Sequence, residues 1–277
     1  MKPSIVIPAY NSAGTLAVCL RACLTQGVEV VVVNDGSTDA TADIARSFPV
    51  MLIQQENKGP AAARNAGWRA VQGNVILFTD ADCVPEPGWA EKLLELLEQT
   101  NAEAAGGGYS YHGASRLGKW IHSEIRLRHA RMRGKVDFLG SFNMAVMRKT
   151  LERVRGFDES FLKPSSEDND LCYRLKKTGC RLIFNPDIRV EHLHPWGLFR
   201  YLRIQARHGF WRSKLYLNHP EMRRGDSYAL GAGFFLPPKG VPMYPQYCVL
   251  VVLRLLARAS GYALGHIYWR RIHKQPK

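Results

Sequence analysis

Residues 4–37, SIVIPAYNSAGTLAVCLRACLTQGVEVVVVNDGS, hold one complete strand–helix–strand unit. Ser4–Ile7 and Val28–Val33 are short, β-branched apolar runs bounded by turn residues, which predicts two strands. Between them Leu16, Cys19, Leu20, Cys23 and Leu24 recur at helical period. The pattern then repeats. Val50–Ile53 predicts a strand with a helix over Pro60–Val71 behind it, and Val75–Thr79 a strand followed by a helix over Trp89–Gln99. Such alternation builds a Rossmann-like α/β fold, a mostly parallel sheet flanked by helices. Ligands of these sheets sit beyond the carboxyl ends of the strands. That end gathers Pro8-Ala9-Tyr10-Asn11, Asn34-Asp35-Gly36-Ser37 and Asp80-Ala81-Asp82. A dinucleotide-binding domain needs a glycine-rich turn after its first strand. Here that turn reads PAYNSAG, with Gly14 alone, so hydride transfer is excluded.

Composition bounds the rest. The 277 residues are 46% hydrophobic and 22% charged, enough to bury a sizeable core and too apolar for a disordered chain. Six scattered cysteines do not make a disulfide scaffold, and reduced thiols in the cytosol are the simplest reading. The opening MKPSIVIPAYN has one lysine and an apolar run cut by Pro8, unlike a signal peptide. The net charge of +14 is uneven. Residues 1–195 carry 24 basic and 22 acidic groups, whereas residues 196–277 carry 14 basic and only 2 acidic, Glu221 and Asp226. A basic tail of this kind seeks phosphates, of a membrane surface or a nucleic acid.

Acid replaces glycine at the ligand end. Residues i and i+2 of an extended segment point the same way, so Asp80 and Asp82 can present two carboxylates together. Mg²⁺ is typically held by one or two carboxylates and substrate phosphates. An isolated DxD more often solvates a turn, and NDGSTD is equally good turn and helix-cap chemistry ahead of a helix at Ala40. Further on, Gly106-Gly107-Gly108 breaks the alternation, and Arg116–Lys135 is a basic, helix-compatible stretch with seven Lys or Arg. Asn143–Arg148 predicts a strand. Ser165 or Ser166 can cap a helix whose first turn carries Glu167, Asp168 and Asp170, with Asp170 and Arg174 spaced as an intrahelical pair and Gly179 ending it. Ile183–Asn185 and Ile188–Glu191 read as strands leading to His192 and His194.

Taken together, SIVIPAYN, VVVNDGSTDAT, NKGPAAARNAG, FTDADCVPEPGW, the GFDE–EDNDL–RL–G segment and the P-x-I-x-V-x-H spacing from Pro186 to His192 resemble the inverting nucleotide-sugar glycosyltransferases of family 2. The resemblance covers about residues 3–195 and implies the GT-A fold, with a catalytic domain over 1–195 and a basic helical extension over 196–277. It implies that Pro8, Tyr10 and Asp35 hold the nucleotide base and ribose, with Arg64 either near the nucleotide or held in packing or a local salt bridge. Asp82 is then the direct ligand of Mn²⁺ or Mg²⁺, Asp80 lies nearer the ribose, and His192 completes the metal site. Asp168 stands at the position of the general base, and Glu167 orients it or the acceptor. The implied reaction moves a hexose-type sugar, with inversion, from a nucleoside-diphosphate sugar, UDP being the expected nucleotide. One departure is visible: Gly140-Ser141-Phe142 precedes Asn143 where the family often shows paired glycines.

The tail adds a partner. From Trp196 to Leu217, large apolar residues alternate with Arg200, Arg203, Arg207, Arg212 and Lys214, the pattern of a basic amphipathic helix at a membrane surface. Tyr247–Tyr268 is apolar, but Arg254 and Arg258 interrupt it. A central arginine costs roughly 2.5–3.5 kcal/mol on insertion scales, which favours an interfacial helix with its arginines at headgroups over a clean span. The expected location is the cytosolic face of a membrane, where a lipid-linked acceptor or cell-surface glycan precursor would be met. Rival readings are a nucleotidyltransferase or sugar-nucleotide hydrolase, the former lacking its glycine- and lysine-bearing loop, and a nucleic-acid-binding module. No nucleic-acid recognition motif accompanies the charge, and the tail aromatics sit among aliphatics.

Overall fold

A computed structural model describes residues 1–111, 113, 115–130, 132–193, 197–225 and 245–273. In chain order its elements are β1 (Pro3–Ala9), α1 (Leu16–Leu24), β2 (Glu29–Asp35), α2 (Thr41–Arg46), β3 (Met51–Gln55), α3 (Pro60–Ala70), β4 (Val75–Thr79), β5 (Cys83–Pro85), α4 (Trp89–Thr100), β6 (Ala104–Ser110), α5 (Arg116–Ala130), β7 (Gly134–Lys135), β8 (Asn143–Met147), α6 (Arg148–Val154), α7 (Glu167–Lys177), β9 (Leu182–His192), α8 (Leu198–Asn218), α9 (Met222–Gly225) and α10 (Pro245–His273). They fall into two compact units, Met1–Ala114 with Ile121–His194, and Ser115–Trp120 with Pro195–Lys277.

The first unit is one sheet, ordered β3-β2-β1-β4-β8-β6-β9-β5, with β7 also on β9. Strands β3, β2, β1 and β4 are mutually parallel, β8 runs antiparallel to β4 and β6, and β6 is parallel to β9. Alternation along each strand feeds two cores. Ile5, Ile7, Val75 and Leu77 pack with Leu16, Leu20, Trp89 and Leu93 on one side. Val6, Ile76 and Phe78 pack with Trp68, Leu151, Leu171 and Leu175 on the other. Each such burial contributes about 1.5–3 kcal/mol, which is why the period of two is so legible in the sequence.

The structure departs from the sequence expectations at three places. The glycine triplet lies inside β6 and does not interrupt it. A Cβ on Gly107 would stand 1.9 Å from the Ile188 carbonyl, so glycine is what lets β9 come close where the register shifts between Gly107 and Gly108. Two strands expected near His192 are one, Leu182–His192, because that shift absorbs the irregularity at Pro186. Ser166 precedes α7 in the left-handed region (φ 69°) and makes no side-chain cap bond. The Glu167 carboxylate instead accepts the Ser165 N–H at 2.7 Å.

In the second unit α8 and α10 lie side by side and run in the same direction. Gly209 and Gly261 set the close approach, since Cβ atoms there would meet the Arg258 carbonyl at 2.0 Å and the Ala206 carbonyl at 1.9 Å. The contact continues in Phe210, Trp211, Tyr268 and Trp269, with the Lys214 ammonium 4.6 Å from the Trp269 ring. The arginines expected at headgroups are otherwise engaged. Arg254 is buried, and the Arg258 Nε–H donates to Gln205 at 2.7 Å. Val249, Val252, Leu256, Leu264 and Ile267 of α10 remain exposed, and Val249–Ile272 is long and apolar enough to cross a membrane. His194 and Trp196 lie outside the described residues.

Candidate active site

Parallel β2, β1 and β4 end side by side, so Asp35, Tyr10 and Asp80 leave the sheet at one edge. Tyr10, just past β1, is 49% exposed. Asp35 is buried, and its carboxylate is already well supplied. Oδ1 accepts the Gln55 amide at 2.6 Å and the Lys58 N–H at 2.9 Å, while Oδ2 accepts the Gly59 N–H at 2.9 Å. In the NDGSTD turn Asp39 accepts the backbone N–H groups of Thr41 and Ala13, both at 3.0 Å. Pro8 is partly exposed on the same strand.

Arg64 does not lie open to a ligand. Its guanidinium is 3% exposed and spans two carboxylates, donating from Nη2 to Asp80 Oδ1 at 2.7 Å and from Nη1 to Glu167 Oε1 at 3.1 Å. Burial alone would lower its pKa, but Asp80 and then Glu167 raise it, so the group stays charged. Asp80 is therefore half committed to an ion pair that its place in a DxD motif does not reveal.

Glu167 and Asp168 open α7 but sit differently. Glu167 is buried, and its carboxyl is pushed up to about 7, first by burial and then by the neighbouring Asp168 charge, with Arg64 and the Ser165 N–H opposing. Asp168 is partly exposed, and its Oδ1 accepts the Asn169 N–H at 2.8 Å. One acid of the pair is thus buried, and the other is partly exposed. Asp170 pairs with Arg174 as its spacing predicts, at 2.7 Å.

On the other side of the DxD, β5 pairs with the end of β9, which sets Cys83 opposite His192. Asp82, Cys83 and His192 offer ligand atoms that all lie within 4.8 Å of one another, with His192 Nε2 at 3.8 Å from Asp82 Oδ1. Burial pushes the His192 imidazole down to about 4, so it is neutral and has a lone pair to donate. Cys83 was not singled out from the sequence, although it follows the motif directly. Burial, and then Asp82, raise its thiol well above the ordinary range, and its sulfur is a soft donor, poorly matched to a hard cation. The carboxylate of Asp82 with the imidazole of His192 could hold a divalent cation as an oxygen and nitrogen pair.

Known proteins resemble this chain in sequence and in fold. The family model "Glycosyl transferase family 2" matches residues 4–156. That span holds Tyr10, Asp35, Arg64 and the DxD, while Glu167, Asp168 and His192 lie beyond it. The pre-mycofactocin glycosyltransferase of Mycobacterium tuberculosis is 32% identical over 235 residues, 79% of this chain and 48% of that protein. Glycosyltransferase AglE of Haloferax volcanii is 28% identical over 242 residues, 82% of this chain and 78% of the relative. The chain thus spans about half the length of the mycobacterial relative it matches. Among solved structures, the mannosyltransferase PcManGT from Pyrobaculum calidifontis, in complex with GDP-Man and Mn²⁺, superposes with a TM-score of 0.70 at 19% identity, over 95% of this chain and 87% of that one. Staphylococcus aureus TarS 1–349 with UDP gives 0.59 at 17% identity, covering 98% of this chain and 92% of the other.

Proposed function

Because the chain belongs to glycosyl transferase family 2 and has the GT-A fold, we propose that this glycosyltransferase moves a hexose from a nucleoside-diphosphate sugar to an acceptor hydroxyl with inversion, dependent on a divalent metal. The single observation that carries the reading is the row Tyr10, Asp35, Asp80/Asp82 and His192 along one sheet edge, with Asp168 reached through Arg64 and Glu167. Solved neighbours in complexes with GDP-Man, UDP and UDP-GlcNAc support a nucleotide-sugar donor, for which UDP is the first candidate.

Tyr10 would stack on the base, and Asp35, with its one remaining lone pair on Oδ2, would accept a base N–H or ribose hydroxyl. Pro8 would line the same pocket. Asp80 would face the ribose while tied to Arg64, and Asp82 with His192 would hold the cation. That cation, when bound, offsets the charge growing on the departing diphosphate. Asp168 would take the acceptor's hydroxyl proton as its oxygen bonds to the anomeric carbon. The carbon–oxygen bond to the β-phosphate breaks, and its electron pair stays with the diphosphate. A carboxylate at the positive end of α7 is favoured in the ionised form a base needs. Glu167 acts through Arg64 and the Ser165 N–H to hold Asp168 and Asp80 in one frame.

The acceptor would be met at a membrane. The exposed apolar residues of α10 and the excess of 14 basic over 2 acidic residues in 196–277 support peripheral attachment to an anionic leaflet, on its cytosolic side. A panel of UDP-, GDP- and TDP-sugars with Mn²⁺ or Mg²⁺, scored for nucleoside diphosphate release, tests the transferase reading. Release from none of them, by folded protein supplied with membranes, would refute it.

A further inference from the structure

Beyond β4 the same sheet edge continues through β8, β6 and β9, and it carries aromatic rings. Phe142 stands one residue before Asn143, and Asp80 one residue after Thr79; Asn143 and Thr79 are paired, so Phe142 and Asp80 leave adjacent strands at the same end. Tyr109, next to the end of β6, stacks on Phe142 with centroids 3.9 Å apart and planes 6° from parallel. His129 of α5 is nearly parallel to both, at 5.7 and 6.5 Å. The Tyr109 centroid is also 5.0 Å from that of His192.

The pair is rigidly held. The Asn143 amide, fully buried, donates to the Gly108 carbonyl at 3.0 Å and the Ile188 carbonyl at 2.9 Å, and accepts Trp89 Nε1–H at 2.8 Å. Phe142 precedes that anchor, and Tyr109 follows Gly108, so one buried side chain ties together the backbone beside both rings. Phe78 and Trp89 are fully buried, whereas Tyr109 and Phe142, packed against the same core as Trp89, are only partly buried.

We propose that Tyr109 and Phe142 form the wall on which the acceptor rests, and that the acceptor part recognised there is a sugar ring presenting an apolar C–H face. This rests on the transferase reading. With the nucleotide assigned to the β2–β1 side of the DxD, the β8–β6–β9 side is left for the group that attacks. Flat, preorganised aromatic surface beside carboxylates binds a ring with C–H groups on one face and hydroxyls at its rim. A bare polyprenyl phosphate or a peptide hydroxyl offers no such face.

The test uses the full chain with Mn²⁺ and UDP, and the probes are methyl β-D-glucoside, methyl β-D-galactoside and methyl α-D-mannoside. Protein aromatic protons are saturated selectively, and transfer to sugar C–H protons is read by NMR. At least one glycoside should receive saturation on one ring face. Phe142→Leu and Tyr109→Leu, which keep bulk but lose the ring, should weaken that glycoside about three- to tenfold, while UDP affinity stays within about twofold. Tyr109→Phe should bind as wild type. No saturation of any glycoside by wild-type protein that binds UDP overturns the proposal, as does unchanged glycoside binding by both leucine variants. If UDP and GDP both fail to bind, the transferase reading is what has failed. Should the leucine variants not fold, the wild-type result still decides, with octyl glycosides and undecaprenyl phosphate compared as acceptors; transfer to the phosphate alone refutes the wall.

Discussion

Arg64 and Glu167, 103 residues apart in sequence, meet at 3.1 Å with the guanidinium almost fully buried. The other arm of Arg64 holds Asp80 at 2.7 Å. One cation therefore ties the strand that carries the DxD to the helix that carries the candidate base. Removing it leaves two carboxylates near each other without compensation. Arg64→Met should cost about 3–5 kcal/mol in urea unfolding, as when one partner of a buried ion pair is deleted. Arg64→Lys should recover part of that, because a point charge cannot span both carboxylates as the planar fork does. Equal stability of wild type and Arg64→Met would mean that the bridge contributes nothing.

Glu167 predicts a pH dependence. Its carboxyl titrates at about 7 when folded against an ordinary 4.5, so the folded chain keeps a proton that the unfolded chain releases between those values. Its contribution to stability is full below about 4.5 and is lost as pH rises through 7. Between pH 4.5 and 8, wild type should lose stability relative to Glu167→Gln by on the order of 2–3 kcal/mol. Urea melts of both proteins across that range measure it, and parallel curves would show Glu167 ionised throughout.

Asp168→Asn should keep donor affinity near wild type and lose at least about a hundredfold in transfer, the scale of general-base loss. Kinetics with saturating donor separate the two terms. Normal transfer by Asp168→Asn alongside an inactive Glu167→Gln would reverse the roles.

Asp82→Ala should abolish Mn²⁺-dependent UDP binding in calorimetry while changing stability little, since the side chain is partly exposed. His192→Gln should weaken Mn²⁺ more than Mg²⁺, because imidazole suits the softer ion. Undiminished turnover in EDTA would remove the metal from the mechanism.

Full-length protein should pellet with vesicles containing phosphatidylserine and less so as salt rises, at about 1 kcal/mol per basic residue near the surface. Binding should persist in part at high salt, because Val252, Leu256 and Ile267 supply apolar contact. Replacing those three by Ser tests the apolar part. Pelleting that is unchanged by the replacement and abolished by salt would leave charge alone as the anchor.

Local patterning was enough to read most of the sheet. Ile5, Val6 and Ile7 alternate between two cores, so period and turn residues announce β1, β2, β4 and their helices wherever one strand is buried on both faces. The row of acids was legible for the same reason, because parallel strands must end together. What no local pattern carries is which acid keeps its charge for a ligand. Of Asp80 and Asp82, Arg64 takes the first, and Glu167 is buried and bonded to Arg64, 103 positions away, whereas Asp168 is partly exposed. The glycine triplet, read as an interruption, is a strand because Ile188 arrives from β9. Of the two arginines expected at headgroups, Arg258 bonds Gln205 of α8 and Arg254 is buried. Period and propensity act within a few residues, whereas desolvation, ion pairing and close backbone approach are decided by whatever the tertiary fold brings alongside.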